Sequence, residues 1–367
     1  MHLEKLQLEN FKNYRDQVVE FPARINFLLG LNGSGKTNLL DAIYYLSATK
    51  SFSHASDTSN IYHGEDHFSI TGSFQQSGRK HTVYCQVGHG KKKVFREDSR
   101  EYDKLSDHIG KYPVVLISPM DVDLVKESSE ARRKFFDQMI AQVDHHYLEM
   151  LVEYHHALKQ RNALLKMFAE RNSIDDVALS IYNQQLVRTG TTIYKKRKDF
   201  VAEFVPIFNR CYKLLVQEQE DLSLGYSSDL ETGDDFEQEL SRALKRDMDL
   251  QRTTVGIHRD DYIFGFAHGE LKRLGSQGQQ KSFLVSIKLA QVDVIRMHAG
   301  FLPILLLDDI FDKLDDVRIA SLMNIVAGDG YGQLFITDAG PERTISLKER
   351  LGIQGDIFRV EKGHIFQ

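Results

Sequence analysis

Apolar and polar positions divide the first third of the chain into strands. Residues 3–8 alternate leucine with charged residues and predict a strand, and residues 18–21 predict its hairpin partner. A weaker alternation broken by glycines over residues 68–94 is typical of an antiparallel meander. The continuous apolar runs 25–29 and 112–118 predict strands buried on both faces.

The spacing changes to that of helices after Pro119. From about residue 128 to 216 glycine is almost absent, and leucines recur every seven positions from 151 to 165. A second apolar stripe runs from 200 to 215, where Pro206 is expected to kink the helix. This stretch predicts an α-helical insertion that is too short and irregular for a long coiled coil.

The last third of the chain returns to mixed α and β patterning from Thr253. Residues 279–297 predict a helix with several core positions, and the apolar runs 301–307 and 333–337 predict buried strands. Residues 356–366 predict a terminal hairpin around a Lys-Gly turn. The two ends of the chain therefore share one α/β character, which the helical insertion interrupts.

Composition narrows the class of protein. The chain has 367 residues, 41% of them hydrophobic and 27% charged, as expected for a globular protein of two or three domains. The formal net charge of −5 gives no overall nucleic-acid signature, so DNA binding would have to use local basic patches. Cys85 and Cys211 are too few for a disulfide framework. Because no signal peptide or membrane span is predicted either, we expect a cytoplasmic protein.

A glycine-rich loop between the predicted strand at 25–29 and a predicted helix carries the strongest chemical signal. Its sequence fits G-x-x-x-x-G-K-[ST] without a mismatch, and it has the strand-loop-helix context that phosphate binding requires. Lys36 is expected to reach the β- and γ-phosphates of ATP, and Thr37 to ligate Mg²⁺. The candidate nucleotide ligands are Gly30, Leu31, Asn32, Gly33, Ser34, Gly35, Lys36, Thr37 and Asn38.

Two acids follow the apolar run that ends at Leu307. Asp308 is at the position of the Walker B aspartate, which would hold the Mg²⁺ shell opposite Thr37. Asp309 is then placed to orient or activate the attacking water. The alternative is a pair of helix-capping acids after a core strand, and the phosphate-loop pattern in the same chain weighs against it.

A third motif opens the predicted helix near residue 279. Ser276, Gly278 and Gln279 lie about 30 residues before the acid pair. Alone they would be an ordinary helix cap, but at this place they resemble the signature motif of ABC-type ATPases. There the serine and the helix N-terminus bind the γ-phosphate held by a partner subunit. Asp312-Lys313-Leu314-Asp315 then falls where such proteins have their D-loop.

Taken together, these motifs resemble the RecF family of bacterial DNA-repair ATPases in the SMC and ABC superfamily. Two blocks separate that family from other SMC-like heads: the Arg-Asn-Ala-Leu-Leu block at 161–165 and the His-Arg-Asp-Asp block at 258–261. The matching stretches are 8–14, 33–43, 118–119, 132–137, 157–165, 256–261, 276–281 and 305–309.

The resemblance implies both a fold and a function. The fold would be an α/β, ABC/SMC-type P-loop ATPase head, split between residues 1–122 and 220–367, with an α-helical insertion domain at 123–219. The function would be ATP- and Mg²⁺-dependent dimerisation and binding to single-stranded, gapped or junction DNA. With RecO and RecR, such proteins promote RecA loading, recombinational repair, replication restart and the SOS response.

Hydrolysis is expected to be weak, DNA-stimulated and used as a switch. Asp309 replaces the glutamate of transporter-type ATPases, and Thr337 stands in place of their switch histidine. A shorter acid and no histidine favour slow turnover.

Basic clusters are the candidates for DNA contact. The alternative for each cluster is a solvated surface, and the arginines beside Phe135 could instead be structural. The candidates are Lys91, Lys92, Lys93, Arg132, Arg133, Lys195, Lys196, Arg197 and Lys198.

Three function classes stay open at this point. An ATPase subunit of a transporter would lack the helical insertion with its Arg-Asn-Ala-Leu-Leu block. A small-molecule P-loop kinase would not need Ser276 and would act as a monomer. An ATP-gated DNA clamp, reset by hydrolysis, uses all of the motifs and is the preferred interpretation.

Overall fold

The computed structural model describes residues 1–171, 173–216, 220, 222–232, 235–266, 269–312 and 314–367. The chain forms two compact units, which are described separately below. Unit 1 comprises Met1–Val122, Ile207–Gln219 and Ser276–Gln367, and unit 2 comprises Asp123–Pro206 and Glu220–Gly275.

The secondary structure alternates strands and helices in both terminal parts of the chain. The strands are β1 His2–Phe11, β2 Tyr14–Glu20, β3 Ile25–Leu29, β4 His67–Gln76, β5 Arg79–Gly88, β6 Val94–Glu97, β7 Arg100–Glu101, β8 Val114–Ile117, β9 Leu222–Ser227, β10 Asp261–Phe266, β11 Gly269–Glu270, β12 Ile304–Leu307, β13 Leu334–Asp338, β14 Asp356–Glu361 and β15 His364–Phe366. The helices are α1 Lys36–Ala48, α2 Asp123–Lys126, α3 Ser129–Val143, α4 His145–Arg171, α5 Asp176–Val216, α6 Phe236–Leu250, α7 Leu271–Leu274, α8 Gln277–Ala299, α9 Asp316–Ala327 and α10 Pro341–Arg350.

A largely parallel sheet in unit 1 has the strand order β15-β14-β3-β13-β12-β8. Every residue of β3, β8, β12 and β13 is buried, which is why their sequences are continuous apolar runs. These strands confirm the predicted runs, and β14 and β15 confirm the terminal hairpin. Because β3, β12 and β13 are parallel, their carboxyl ends meet at one edge of the sheet.

The other sheet of unit 1 is antiparallel, with the order β2-β1-β4-β5-β6-β7. The predicted hairpin is confirmed, with Leu8 opposite Gln17, and its turn is confined to residues 12–13. Helix α1 packs closely on this sheet, since a Cβ on Gly72 would lie 2.5 Å from the side chain of Leu46. The helix that follows the glycine-rich loop is thereby fixed to a buried sheet face.

Helices dominate unit 2, together with the three strands β11-β10-β9 in that order. Helix α5 is continuous through Pro206, which the sequence predicted to be a kink. No helix in the described part of the chain is both long and apolar enough to cross a membrane.

A fully buried arginine from the Arg-Asn-Ala-Leu-Leu block ties the elements of unit 2 together. Arg161 Nη1 donates to Asp247 Oδ2 and Thr253 Oγ1, both at 2.7 Å, and its Nε donates to Asn183 Oδ1 at 2.7 Å. Because a buried charge requires such partners, this block joins α4, α5, α6 and the segment after α6.

A second buried arginine corrects one DNA-contact prediction. Arg197 is 1% exposed and binds the carboxylates of Asp137 and Asp260 at 2.8–3.0 Å. Its Nη1 also donates to the carbonyl of Ile257 at 2.8 Å. The guanidinium is saturated inside unit 2 and cannot reach a DNA phosphate, so Arg197 is not a surface cation.

The compact units divide the chain differently from the predicted domains. The sequence prediction placed 220–367 with the head, whereas residues 220–275 are part of unit 2. The buried pairs from Arg161 to Asp247 and from Arg197 to Asp260 explain this. Apolar alternation predicts that 261–266 is a strand, but it carries no information on which sheet the strand enters.

Replacing Arg197 by methionine is expected to destabilise the protein strongly. The substitution leaves Asp137 and Asp260 buried without their partner, and breaking such a pair costs about 3–5 kcal/mol. Denaturant unfolding followed by circular dichroism measures the change. The exposed Lys195, replaced by methionine in the same helix, is the control and should change stability by less than about 0.5 kcal/mol. Equal unfolding midpoints for the two variants would contradict the buried role of Arg197.

Candidate nucleotide-binding site

The loop between β3 and α1 has the backbone conformation of a phosphate-binding loop. Gly33 and Gly35 have φ angles of 78° and 119°, which residues other than glycine rarely adopt. A Cβ on Gly35 would also lie 2.5 Å from Asn13 Nδ2. Helix α1 begins at Lys36, so its first backbone N–H groups and its dipole point into the loop.

A pocket opens at the carboxyl edge of the parallel sheet. Lys36 crosses it, and its Nζ donates to the carbonyls of Gly30 at 2.7 Å and Leu31 at 3.0 Å. Burial lowers the pKa of Lys36, although Asp309, Asp308 and Asp338 oppose the change. The described residues that line the pocket are Asn32, Gly33, Gly35, Lys36, Thr37, Asn38, Asp308, Asp309 and Thr337.

Asp308 follows β12 directly and is brought to Thr37, as the sequence predicted. Thr37 Oγ1 donates to Asp308 Oδ1 at 3.0 Å, and Thr337 Oγ1 donates to the same oxygen at 2.8 Å. Burial raises the pKa of Asp308, while these two hydrogen bonds counteract the increase. Two residues that are distant in sequence thus present neighbouring oxygen atoms to the pocket.

This donor set fits Mg²⁺. The ion binds proteins through one or two oxygen ligands and takes its other ligands from phosphates and water. Thr37 and Asp308 supply two such oxygens, and the described residues contain no cluster of three His, Cys, Asp or Glu that would suit an all-protein cage. Both residues would therefore hold the ion beside the phosphates of a nucleotide.

Asp309 is held in an uncommon backbone conformation next to Asp308. Its φ is 49°, and its backbone N–H donates to Thr337 Oγ1 at 2.9 Å. The Thr337 hydroxyl therefore bonds the carboxylate of Asp308 and the backbone of Asp309. The sequence indicated only that Thr337 stands where transporter-type ATPases have a histidine, and gave no sign of these hydrogen bonds. A non-glycine residue at positive φ costs free energy and is found mostly at functional sites.

Sequence reasoning missed the residues that brace the loop from the β1–β2 turn. Asn13 Nδ2 donates to the carbonyl of Ser34 at 3.1 Å, and Asn13 Oδ1 accepts from Asn38 Nδ2 at 2.7 Å. Tyr14 donates its hydroxyl to the carbonyl of Gly35 at 2.9 Å. The signal was present as a polar Lys-Asn-Tyr turn in a hairpin predicted to lie beside the loop.

A buried ion pair extends this brace to the other end of the turn. Lys12 pairs with the buried Asp41 of α1, and its Nζ also donates to Ser53 Oγ at 2.6 Å. The Ser51 hydroxyl and the Phe52 N–H donate to Asp41 at 2.6 and 2.8 Å. The β1–β2 turn is therefore fastened to the helix that carries Lys36 and Thr37.

The predicted signature residues form a helix cap at a different place from the Lys36 pocket. Ser276 caps α8 through a capping box with Gln279, at 3.2 Å for Gln279 N to Ser276 Oγ and 2.7 Å for Ser276 N to Gln279 Oε1. Ser276 is exposed, and a Cβ on Gly278 would approach Arg318 Nη1 to 2.6 Å. Of the predicted D-loop, Lys313 lies outside the described residues.

The basic clusters differ in how many of their side chains have partners. Lys91 is exposed, and Lys92 is exposed with a long contact of 3.7 Å to Glu101. Lys93 is half-buried, binding Asp57 at 2.5 Å and the carbonyl of Thr49 at 2.8 Å. The first two lysines could contact DNA without rearrangement, whereas Lys93 is part of the fold.

The basic side chains of unit 2 also differ in whether they have partners. Arg132 makes a bidentate pair with Asp261 at 2.8 and 2.9 Å, which supports its structural alternative. Lys196 pairs with Asp144. Lys195 and Lys198 are exposed.

Comparison of the sequence with known proteins agrees with the geometry of the candidate nucleotide-binding site. The sequence profile of the family described as RecF/RecN/SMC N terminal domain matches residues 2–355. The DNA replication and repair protein RecF of Flavobacterium johnsoniae is 46% identical over 351 residues, covering 95% of this chain and 96% of the relative. The protein of the same name from Cytophaga hutchinsonii is 42% identical over 367 residues, covering 100% and 97%.

Solved structures agree with the sequence comparison. A structure of the recombination mediator protein RecF-ATP in the RecFOR pathway matches with a TM-score of 0.90 and 26% identity, covering 100% of this chain and 97% of the other. The Smc head domain of Pyrococcus furiosus matches with a TM-score of 0.52 and 17% identity, covering 99% and 95%, and shows the fold alone. The predicted ABC/SMC-type ATPase head is confirmed, and the chain belongs to the RecF family within the RecF/RecN/SMC N terminal domain group.

Proposed function

We propose that this protein is an ATP-driven DNA-binding dimer of recombinational repair and replication restart. The observation that carries the proposal is the meeting of Thr37 with Asp308 beside Lys36 in a pocket formed by a glycine-rich loop. The relatives named DNA replication and repair protein RecF, at 42–46% identity over almost the whole chain, support the biological role.

The pocket would bind ATP through its phosphates. The N–H groups at the start of α1 would donate to phosphate oxygens, and Lys36 would exchange its carbonyl partners for the β- and γ-phosphates. Thr37 and Asp308 would hold Mg²⁺, which supplies neutralisation of the phosphate charge. Asp309 would orient the attacking water from its constrained backbone position.

A second subunit would close the other side of the nucleotide. Ser276 and the N-terminus of α8 lie outside the pocket that holds Lys36, yet they form an anion-compatible helix start. Two ATP molecules would each be held by Lys36 of one chain and Ser276 of the other. ATP then stabilises the dimer by mass action, because only the closed form makes both sets of contacts.

Hydrolysis would act as a slow, DNA-stimulated switch in the cytoplasm. Asp309 is shorter than the glutamate of transporter-type ATPases. Thr337, which is hydrogen-bonded to Asp308 and Asp309, stands in place of their switch histidine. A long-lived ATP-bound dimer would bind single-stranded, gapped or junction DNA through exposed cations such as Lys91, Lys92, Lys195 and Lys198. RecO and RecR are the proposed partners, in RecA loading and the SOS response.

The central test is DNA binding by the full chain. Gapped, single-stranded and duplex DNA are compared with and without ATP at two salt concentrations. We expect tighter binding with ATP and a loss of affinity at higher salt, because phosphate contacts release counterions. Binding that is independent of ATP would contradict the proposed coupling.

Lys36 substitutions test the nucleotide pocket. Lys36→Ala is expected to abolish tight ATP binding, while Lys36→Arg keeps binding but loses hydrolysis, because arginine retains the charge with a different shape and reach. Calorimetric ATP titration and phosphate release measure the two effects. Lys5→Ala, on the exposed part of β1, is the charge-matched control. Normal turnover by both Lys36 variants would contradict the assignment of the loop.

Asp309→Asn is expected to bind ATP, hydrolyse it poorly and dissociate from DNA more slowly. Loss of a general base or water-positioning group typically lowers the rate by a factor of about 10² to 10⁴. Single-turnover hydrolysis measures this, with the exposed Asp316→Asn as a nearby control of the same chemistry. If Asp309→Asn hydrolysed ATP at the parent rate, Asp309 would not be the catalytic acid.

Ser276 substitutions test the shared nucleotide site. Ser276→Arg places a bulky side chain in the dimer contact, so it should leave ATP binding by the monomer intact and abolish ATP-dependent dimerisation and hydrolysis. Ser276→Ala removes the helix cap, worth about 1 kcal/mol, and the proposed hydroxyl contact to ATP, but keeps the helix N-terminus. It should therefore dimerise more weakly than the parent and better than Ser276→Arg. Sedimentation with ATP, ADP and no nucleotide measures the mass. A parent that stays monomeric at saturating ATP overturns the sandwich.

A further inference from the structure

The His-Arg-Asp-Asp block has three residues whose side chains are bonded inside unit 2. His258 Nδ1 lies 2.8 Å from the hydroxyl of Tyr154, and its Nε2 lies 3.1 Å from the carbonyl of Thr253. Asp260 is bound by Arg197, and Asp261 by Arg132. Three of the four positions are therefore explained by the folding of this unit.

Arg259 is the fourth residue of the block, and it faces outward. It is exposed, and in the part of the chain that the structure describes its side chain has no hydrogen bond or ion pair. Its backbone N–H donates to the carbonyl of Gly256 at 2.8 Å, so the turn that presents it is closed. Packing within unit 2 gives no reason for an arginine here.

The turn before Arg259 is rigidly held. Gly256 has a φ of 129°, and a Cβ there would lie 2.6 Å from the Tyr154 hydroxyl and 2.9 Å from the ring of Phe236. With His258 and Asp260 fixed on either side, the backbone of Arg259 is ordered before any ligand arrives. A contact made from such a turn loses little backbone conformational entropy.

The surroundings of Arg259 are positively charged. Arg133 Nη1 donates at 2.6 Å to the carbonyl of Asp260, the residue next to Arg259. His155 follows Tyr154, whose hydroxyl contacts His258. From Leu250 to Arg259 the sequence contains no acid, while Arg252 is a further exposed arginine.

The acids closest in sequence are paired with residues other than Arg259. The Asp260 carboxylate is buried and held by Arg197 and Tyr226, and the Asp261 carboxylate is shared with Arg132. Burial lowers the pKa of His258 to about 4, and the charged groups that add to this lowering are Arg259, Arg133 and His155, all of them basic. The carboxylates of Asp137, Asp260 and Asp261 act on Arg133. None of them is bonded to the exposed Arg259 guanidinium, which is therefore available to an anion.

We propose that Arg259, with Arg133 beside it and Arg252 on the same segment, forms a phosphate-binding site of unit 2 that contacts the DNA backbone. The site offers guanidinium groups, which suit phosphate, so the proposed contact is to the DNA backbone and independent of sequence. This site rests on the proposed function, because it assumes that the protein binds DNA.

Arg259→Gln tests the site in the full chain with ATP. Fluorescence anisotropy on a labelled gapped duplex is expected to show about tenfold weaker binding, the loss of one charge-assisted hydrogen bond to phosphate. The slope of log Kobs against log salt should fall in magnitude by about 0.9 for each arginine that engages DNA. Arg259→Lys should restore the slope, and Arg259→Glu should weaken binding further.

Arg171→Gln is the matched control. Arg171 is an exposed arginine at the end of α4, about 24 Å along the helix from His155 at 1.5 Å per residue. This variant removes the same charge and should bind DNA as the parent does. Equal losses in the two variants would indicate a general charge effect and overturn the site.

Each remaining outcome separates this inference from the proposed function. A parent that binds no DNA with ATP defeats the proposed function itself. A parent that binds DNA while Arg259→Gln keeps its affinity and salt slope overturns the Arg259 site alone, and leaves an acidic protein segment as the partner of this surface. Weaker ATP affinity in Arg259→Gln would assign the anion to the nucleotide and would also overturn the site.

Discussion

The hydrogen bond between Thr37 and Asp308 is the contact on which the candidate site depends. It joins residues 271 positions apart, one at the start of α1 and one after β12. Neither residue has a reason to meet the other except that β3, β13 and β12 are parallel neighbours. Parallel strands bring their carboxyl ends to one edge, and ligands bind at that edge in open α/β sheets.

The rest of unit 1 keeps this edge in place. The β1–β2 turn reaches the loop through Asn13 and Tyr14, and Lys12 anchors the same turn to α1. From the other side, the backbone N–H of Gly363 in the terminal hairpin donates to the carbonyl of Ser34 at 3.0 Å. The first and last strands of the chain thus both hold the phosphate loop, which explains why the head needs both ends of the sequence.

The core strands and the nucleotide site could be predicted from the sequence, because both leave local patterns. A strand buried on both faces must be continuously apolar, and a loop that wraps phosphate needs glycines before Lys36. The brace by Asn13 could not be predicted in the same way, since a polar residue in a hairpin turn is common without any such role. Its partner is defined only by the packing of the hairpin against the loop.

Which segments belong to unit 2 could not be predicted from the sequence, for an electrostatic reason. Arg161 and Arg197 look like surface residues in sequence, because arginine is rarely fully buried. Their burial depends on Asp137, Asp247 and Asp260, which lie between 60 and 86 positions away. These pairs also bring 220–275 into unit 2. Buried arginine–aspartate pairing therefore accounts both for the difference between the predicted domains and the compact units and for the incorrect DNA contact.

The charges at the edge of unit 1 connect the fold to its proposed use. Burial disfavours the charged forms of both Lys36 and Asp308, lowering the pKa of the first and raising that of the second. Their hydrogen-bond partners are backbone carbonyls and two hydroxyls. The attraction between Lys36 and the nearby carboxylates opposes the two shifts only in part. A triphosphate with Mg²⁺ would place an opposite charge in direct contact with each group. Ligand binding would then relieve an electrostatic cost that the apolar strands impose, and the same burial that stabilises the sheet would favour the ATP-bound state.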